Sequence, residues 1–305
     1  MSEDARNRAR MGVLAMIGAC MIWGLSPLYY RMLTHIAPAD VLAHRTIWSL
    51  VFFVGVLAVQ GRLAELRAAV SNRQKTGWVA LAAVMISVNW FLFIFAIQID
   101  RVTETSLGYY IFPLVSVMLG YLMFGERLAG AQWLAVALAA LAVLVLTVGL
   151  GAAPWISLVL ATTFGIYGGL KKRVTTGPVV SVTAEVLVLA PIACIWLAIF
   201  AGIGLPDAGD LALLVLSGPL TAGPLILFSY AAKRVRLATV GLLQYLNPSL
   251  QFLVAALVVG EPMGLPHAIA FPLIWTALAI YSWTALAQDR AARSASAKAP
   301  TVGTG

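Results

Sequence analysis

The sequence predicts an all-α integral membrane protein with ten transmembrane helices, arranged as two inverted five-helix repeats. The 305-residue chain is 61% hydrophobic and only 10% charged, and its mean hydropathy is +0.93. Its apolar stretches are long enough to cross a bilayer, and one constellation of residues occurs twice, 135 positions apart. A soluble domain of this length could not bury so much apolar surface.

The individual elements follow from the length of each apolar stretch. A hydrocarbon core of about 30 Å needs about 20 apolar residues per helix. Ten segments meet this requirement: 11–33, 38–59, 77–99, 103–124, 128–149, 153–171, 178–201, 209–232, 238–259 and 265–287. The only longer connection is 60–76. There Leu63, Leu66 and Val70 share one face, which predicts a short helix lying on the membrane surface.

The duplicated constellation determines the predicted symmetry. Tyr110-x-x-Pro113 is followed by Gly125-Glu126, and Tyr245-x-x-Pro248 by Gly260-Glu261, with 13 positions from proline to glutamate in both. The same offset pairs Phe93 with Phe228, Ala96 with Ala231, Arg101 with Arg236 and Leu107 with Leu242. The offset corresponds to five spans, and an odd number of crossings inverts one copy relative to the other.

The predicted organisation is therefore one repeat over residues 1–150, a second over 151–290 and a disordered cytoplasmic tail over 291–305. Inverted repeats with proline-interrupted helices at matching positions are typical of transporters whose substrate site lies between the halves.

The net charge of +8 is explained by membrane topology. Seventeen of the 20 Lys and Arg residues fall on one side of the predicted spans. The other three are Arg31, Arg45 and Arg101. The positive-inside rule then places both termini in the cytoplasm. Nucleic-acid binding would need these charges on one folded surface, whereas they are spread over short loops. Cys20 and Cys194 lie within predicted spans without a CxxC motif, so neither a disulfide framework nor a zinc site is indicated.

Several motifs together make the chain resemble the RarD family, in the EamA branch of the drug/metabolite transporter superfamily. They are Trp23-Gly24-Leu25-Ser26-Pro27, Pro38-Ala39-Asp40, His44-Arg45-x-x-Trp48-Ser49, Asn89-Trp90, Ser106-Leu107-Gly108-Tyr109-Tyr110-x-x-Pro113-Leu114, Gly125-Glu126-Arg127, Gln132-Trp133-Leu134-Ala135-Val136 and Gln244-Tyr245-x-x-Pro248. The resemblance covers nearly all of the chain up to about residue 287. It implies a ten-helix transporter of the bacterial inner membrane. Relatives export amino acids and other small metabolites.

Two charged residues fall well within predicted spans, where charges are costly and often functional. Arg45 lies seven positions after Pro38, and Glu185 seven after Pro178, but in helices that enter from opposite sides. We therefore expect no direct salt bridge between them. Arg45 is predicted to anchor an anionic group, and Glu185 to couple transport by binding a proton or a cationic substrate. The alternative for each is snorkelling, or a polar contact with a neighbouring helix.

Polar and aromatic residues on predicted helix faces complete the candidate substrate site. Gln244, Asn247 and Gln251 form a polar stripe at i, i+3 and i+7, with Tyr245 beside it and Tyr110 at the equivalent position of the first repeat. Amides in hydrocarbon need partners, so the stripe either lines a wet cavity or bonds to a neighbouring helix. Asn89 and Trp90, and the face with Trp23, Ser26 and Tyr30, are further candidates for the cavity wall. The aromatic residues could instead form interfacial belts.

The Gly-Glu pairs have a structural interpretation. Gly125 and Gly260 can end helices in the left-handed conformation, and Glu126 and Glu261 can open the next helices near their positive ends. A role in gating is the alternative.

Sequence motifs of common enzymes are missing. The chain has no GxSxG, no HExxH and no phosphate-binding Gly-x-x-x-x-Gly-Lys run. We therefore expect no enzyme, no cofactor and no metal, but a small-molecule substrate and a lipid bilayer as partners. The primary hypothesis is a secondary transporter of the EamA/RarD type that exports small polar or amphipathic metabolites, amino-acid-like or drug-like, across the inner membrane by alternating access. A non-transporting membrane sensor or an intramembrane enzyme is the alternative.

Overall fold

The structure is a computed structural model that describes residues 3–124, 128–151, 153–171, 176–200, 207–232, 234 and 243–298. Within these ranges every regular element is a helix. The helices are α1 (Glu3–Arg31), α2 (Pro38–Val59), α3 (Leu63–Ala69), α4 (Arg73–Gln98), α5 (Val102–Phe124), α6 (Gly130–Leu150), α7 (Trp155–Lys171), α8 (Pro178–Ile199), α9 (Ala208–Ala232), α10 (Leu246–Leu253), which continues as a π-helix (Val254–Val259), and α11 (Leu265–Lys298).

In the described part of the chain, eight helices contain a stretch that is long and apolar enough to cross a membrane. These stretches are Arg10–Arg31, Pro38–Val59, Arg73–Gln98, Val102–Leu122, Gly130–Leu150, Pro178–Ile199, Ala208–Ala231 and Leu265–Thr284. They agree with eight of the ten predicted segments. The chain is therefore a multi-pass membrane protein.

The other two predicted segments contain shorter helices in the part of the chain that the structure describes. Segment 153–171 contains α7, which has 17 residues. In segment 238–259, the apolar helix that the structure describes is Leu246–Val259. Residues 235–242 lie outside the described ranges. Pro248, near the start of α10, has no backbone N–H to donate, and Gly260 ends the π-helix in the left-handed conformation with φ 73°.

Two smaller elements differ in part from expectation. The helix predicted within 60–76 is α3, but it packs on the core through Leu66 and Ala69, whereas Leu63 is 40% exposed. At the other end of the chain, α11 continues to Lys298, so residues 291–298 are helical rather than disordered. Their sequence is rich in alanine, which has the highest helix propensity.

Small residues allow the helices to pack closely, as is common in membrane proteins. A Cβ atom added at Gly218 of α9 would lie 2.5 Å from the backbone oxygen of Trp48 in α2. A Cβ atom added at Gly108 of α5 would lie 3.0 Å from the backbone oxygen of Ser157 in α7. A Cβ atom at Gly218 would therefore force α2 and α9 apart, whereas one at Gly108 would require only a small shift of its neighbours.

The bundle has two ends, which we name after residues that lie there. The Arg101 end carries segments 32–37, 99–101 and 260–264, and the Lys171 end carries segments 60–72 and 176–177. At the Arg101 end a dense cluster includes the fully buried side chains Leu33, Val41, Ile97, Val102 and Ala255. Gln98 ties the α1–α2 connection to α4 by donating to the backbone oxygens of Leu33 at 3.1 Å and Ile36 at 2.9 Å.

Candidate functional site

A central cavity of about 530 Å³ lies among the helices. Seven of the eight predicted substrate-binding residues border it: Arg45, Asn89, Trp90, Gln244, Tyr245, Asn247 and Gln251. Trp23, Ser26 and Tyr30 of α1 border it as well. The residues come from both halves of the chain, so the cavity lies between the two halves.

Among the described residues, the cavity extends towards the Lys171 end of the bundle. It reaches from Arg45 and Tyr30 to Lys171, Thr176 and Pro178, and Pro178 is exposed. In the other direction, the buried cluster that contains Leu33 and Val102 lies between the cavity and the described segments of the Arg101 end.

Arg45 is the charged residue deepest in this cavity. Its side chain is buried with 8% exposure, and its Nε donates to Thr221 Oγ1 of α9 at 3.0 Å. The guanidinium carbon lies 4.1 Å from the ring centroid of Trp90 and 5.8 Å from that of Tyr30. Arg45 forms no ion pair with any acidic residue that the structure describes. A planar cation held on an aromatic face with donors to spare is suited to bind a carboxylate.

Asn89 is used mainly between helices. Its Nδ2 donates to the Leu160 backbone oxygen at 2.9 Å and to Thr163 Oγ1 at 3.2 Å, both in α7. Its Oδ1 accepts from the Tyr109 hydroxyl at 3.2 Å. Asn89 borders the cavity, but its amide already has three partners, so its contacts favour a structural role.

The polar stripe divides between the two expected roles. Gln251 is 1% exposed, and its Oε1 accepts from Thr105 Oγ1 of α5 at 3.0 Å. Its Nε2 donates to Asn247 Oδ1 at 2.9 Å. Gln251 thus joins α10 to α5, whereas Gln244 and Asn247 are only partly buried and border the cavity. Gln244 and Asn247 are thus the amides of the stripe that can meet a solute.

Tyr110 lies elsewhere than expected. Its hydroxyl is 2.7 Å from Ser249 Oγ, and its ring borders a second, lateral cavity of about 520 Å³ with Phe252 and Trp275. It is not among the residues that border the central cavity, whereas Tyr245 borders both cavities. The sequence offset made these two tyrosines equivalent, but the packing of α5 turns Tyr110 away from the centre.

Glu185 is buried behind the cavity wall, with a side chain that is 1% exposed. It forms an ion pair with Lys171, and its Oε2 accepts from the Tyr167 hydroxyl at 2.9 Å. Ser181 donates to Oε1 at 3.1 Å. Arg45 is not among its partners, in agreement with the depth estimate from the sequence.

Sequence reasoning missed Lys171 as a site residue, because it opens the basic run Lys171-Lys172-Arg173 and was counted among the loop charges. Its side chain is 23% exposed, and it borders the cavity. Its Nζ lies 5.0 Å from the ring centroid of Tyr167. The available signal was the i, i+4 spacing of Tyr167 and Lys171 on one face of α7.

An aromatic wall on one side of the cavity was also missed in part. Ring centroids are separated by 6.0 Å between Phe93 and Tyr109, 5.9 Å between Tyr109 and Phe164, and 4.8 Å between Phe164 and Phe112. The four residues border the cavity and come from α4, α5 and α7. This wall, opposite a few amides and cations, favours a small solute with an apolar part.

The structure describes one of the two Gly-Glu pairs, Gly260-Glu261. Gly260 has the predicted left-handed conformation. Glu261, however, does not open the next helix, since α11 begins at Leu265. Its carboxylate accepts instead from the backbone N–H groups of Val102 and Thr103, the latter at 2.9 Å, and so caps α5. Gly125 and Glu126 lie outside the described residues.

Comparisons with known proteins identify close relatives. The EamA-like transporter family model matches residues 10–148. Protein RarD of Streptomyces exfoliatus is 44% identical, over 98% of this chain and 96% of its own. An uncharacterized transporter of Vibrio cholerae is 38% identical, over 97% of this chain and 99% of its own. One crystal structure of a protein aligns with a TM-score of 0.62 over 91% of this chain and 98% of its own. At 18% identity, that similarity concerns the fold alone.

Proposed function

The chain belongs to the RarD family of EamA-like transporters, and on this premise we propose that it is a secondary transporter that exports small carboxylate-bearing metabolites by alternating access. Its similarity to the EamA-like transporter family and to other transporters makes it a membrane transporter. The observation that carries the substrate class is the buried Arg45 guanidinium, stacked on Trp90 and without an acidic partner in the described structure. Amino-acid-like and drug-like molecules with an apolar part belong to this class.

Charge at the cavity supports an anionic group on the substrate. Among the described residues that border it, Arg45 and Lys171 are cationic and none is acidic. Glu185 neutralises Lys171, which leaves Arg45 as the uncompensated charge. A carboxylate would offset this charge and accept two parallel hydrogen bonds from the guanidinium. Aromatic rings such as Phe164 would contact the apolar part.

The proposed architecture has ten spans, with α7 and the helix that ends at Val259 added to the eight long helices, and two inverted repeats. Six pairs of positions 135 apart support the repeats, because both members of each pair border the cavity. The pairs are Ile86 and Thr221, Trp90 and Leu225, Phe93 and Phe228, Tyr109 and Gln244, Phe112 and Asn247, and Pro113 and Pro248. Equivalent positions that line one shared cavity are expected when the repeats surround a single substrate site.

Orientation and coupling complete the proposal. The positive-inside rule places the Lys171 end and both termini in the cytoplasm of a bacterium, with the protein in the inner membrane. The cavity then faces the cytoplasm, where an exported substrate binds. Glu185 couples transport to protons, because it is a buried acid and its partner Lys171 borders the substrate path.

Proteoliposomes test the function after a ligand has been found. A thermal-shift screen of purified protein against a metabolite library identifies ligands, because a compound that binds the folded state raises its melting temperature. We expect the hits to be carboxylates, and we expect protein-dependent flux of each hit across the liposome membrane. A hit that binds without crossing would favour a sensor, and a hit converted to product would favour an intramembrane enzyme. Either result would overturn the proposal.

A further inference from the structure

We propose that hydrogen bonds between α5 and α10 hold the Arg101 end closed, and that the protein at rest therefore keeps its cavity open towards the Lys171 end. The inference rests on the inverted repeats of the proposed function. It concerns the energy difference between the two states that alternating access requires.

The contact nearest to the Arg101 end is made by Glu261. Its carboxylate accepts from the backbone N–H groups of Val102 and Thr103, which open α5. The first N–H groups of a helix have no partner within the helix, and a negative charge is favourable near them. A residue that follows the π-helix of the second half thereby binds a helix of the first half.

Three side-chain contacts continue along the same interface. Thr105 Oγ1 lies 3.0 Å from Gln251 Oε1 and 2.7 Å from the Val102 backbone oxygen, and its one proton is shared between these two acceptors. Ser106 Oγ donates to the Pro248 backbone oxygen at 2.8 Å. The Tyr110 hydroxyl and Ser249 Oγ are 2.7 Å apart. Thr105, Ser106 and Gln251 are each at most 1% exposed, so water does not compete for the first two contacts.

The repeat supplies different residues at the equivalent positions of the Lys171 end. The counterparts of Thr105 and Ser106 are Val240 and Gly241, and the counterpart of Ser249 is Leu114. None of these side chains can donate or accept a hydrogen bond. Other counterparts keep hydrogen-bonding groups: Glu126 corresponds to Glu261, Tyr245 to Tyr110 and Ser116 to Gln251. Residues 126, 240 and 241 lie outside the described ranges, so this comparison is of residue type.

The difference in residue type makes the two closed ends unequal. In an inverted-repeat transporter, exchanging the conformations of the halves closes one end and opens the other. Closing the Lys171 end would break the three side-chain contacts at the Arg101 end, and the equivalents could not form them again. Each interhelical hydrogen bond in a membrane contributes about 0.6 kcal/mol on average, which is about threefold in an equilibrium.

Two cysteine sensors in a background without Cys20 and Cys194 test the proposal in detergent, without any substrate. Ala255→Cys reports the Arg101 end, because Ala255 is fully buried and lies four residues beyond Gln251. Gly168→Cys reports the cavity, which Gly168 borders with open space at its Cβ. We expect a water-soluble maleimide to label the cavity sensor quickly and the Ala255→Cys sensor slowly.

Removing single hydroxyl groups should shift this balance. We expect Thr105→Val, and separately Ser106→Ala, to raise labelling of the Ala255→Cys sensor by about threefold. The matched control is Thr147→Val, because Thr147 Oγ1 bonds only to its own helix, at the Val143 backbone oxygen. It should leave both sensors unchanged.

Unchanged labelling in both Thr105→Val and Ser106→Ala would overturn the proposal, as would the same rise in the control. A rise at both sensors together would mean a loosened fold rather than an opened end, and it would also contradict the proposal. Because these readouts need no flux, they are independent of the liposome assay. If the protein labels as expected but transports no ligand, the proposed transporter function is wrong, whereas the proposed difference between the two ends stands.

Discussion

The guanidinium group of Arg45 lies over the indole ring of Trp90, with 4.1 Å between its carbon and the ring centroid. Arg45 comes from α2 and Trp90 from α4, and the Nε bond to Thr221 adds α9. Three helices thus hold one cation in a fixed position at the closed end of the cavity. Fixing a planar donor group in advance lowers the entropy cost of binding an anion.

Replacing Arg45 should abolish recognition of the carboxylate. We expect Arg45→Gln to weaken binding of a carboxylate hit by at least about tenfold, since a charge-assisted hydrogen bond contributes about 1.5–3 kcal/mol. Arg45→Lys should recover only part of this loss, because lysine lacks the planar fork and the stacking surface. Thermal-shift titration measures both variants. Arg67→Gln, at an exposed position of α3, is the control and should bind normally. Full binding by Arg45→Gln would contradict the assignment.

The two asparagines at the cavity should respond differently to truncation. Asn89 bonds to Leu160 and Tyr109, so Asn89→Ala should lower thermal stability, by about 0.6 kcal/mol for each interhelical bond lost. Asn247→Ala should weaken ligand binding with a smaller loss of stability, because its side chain is only partly buried. Melting curves with and without ligand separate the effects. Reversed behaviour of the two variants would exchange their roles.

Gly218 should not tolerate even a methyl group. A Cβ atom there would lie 2.5 Å from the Trp48 backbone oxygen, so Gly218→Ala must push α9 away from α2. We expect a loss of about 1–3 kcal/mol, the usual cost of overpacking. The same change at Gly223, five residues along α9, meets no atom within 4 Å and is the matched control. Equal melting temperatures for the two variants would exclude this contact as a constraint.

Glu185 should be needed for proton-driven accumulation. We expect Glu185→Gln, which cannot titrate, to abolish accumulation against a gradient when a pH difference is imposed on proteoliposomes. Counterflow of substrate should survive, since it needs no net proton movement. The change also leaves the Lys171 charge without its partner, and breaking a buried pair destabilises a protein by up to about 3–5 kcal/mol.

A double variant separates the two effects of this change. Lys171→Met combined with Glu185→Gln removes both charges, so it should regain stability without regaining accumulation. If the double variant accumulates substrate, the pair is structural. Accumulation by Glu185→Gln alone would equally refute the coupling role.

Labelling in intact cells should reveal the orientation of the bundle. Ala68 lies at the Lys171 end and Ala208 at the Arg101 end, and both are exposed. In a background without Cys20 and Cys194, a membrane-impermeant maleimide should label Ala208→Cys and leave Ala68→Cys unlabelled until the cells are permeabilised. The opposite pattern would reverse the orientation, and the cavity would then face outside.

The sequence alone was enough to predict the membrane class, the family and most of the cavity. Hydrophobic length is a local property, so eight spans could be predicted without knowledge of tertiary contacts. The depth of Arg45 and the 3.6-residue period of the stripe at Gln244 and Asn247 placed these residues correctly at the cavity. A charge or a row of amides in hydrocarbon has few stable environments, and a shared polar cavity is the commonest.

Tertiary structure alone decided which partner each polar group has. Helical periodicity defines a face but not the helix that packs on it. For this reason the sequence left Gln251 between two roles, placed Tyr110 at the cavity and did not pair Glu185 with Lys171. The packing of α5 against α10 gives Gln251 and Tyr110 their partners, and the approach of α7 to α8 pairs Lys171 with Glu185. Local sequence determined what each helix is, and the packing between helices determined what each polar residue binds, because packing depends on residues far apart in the chain.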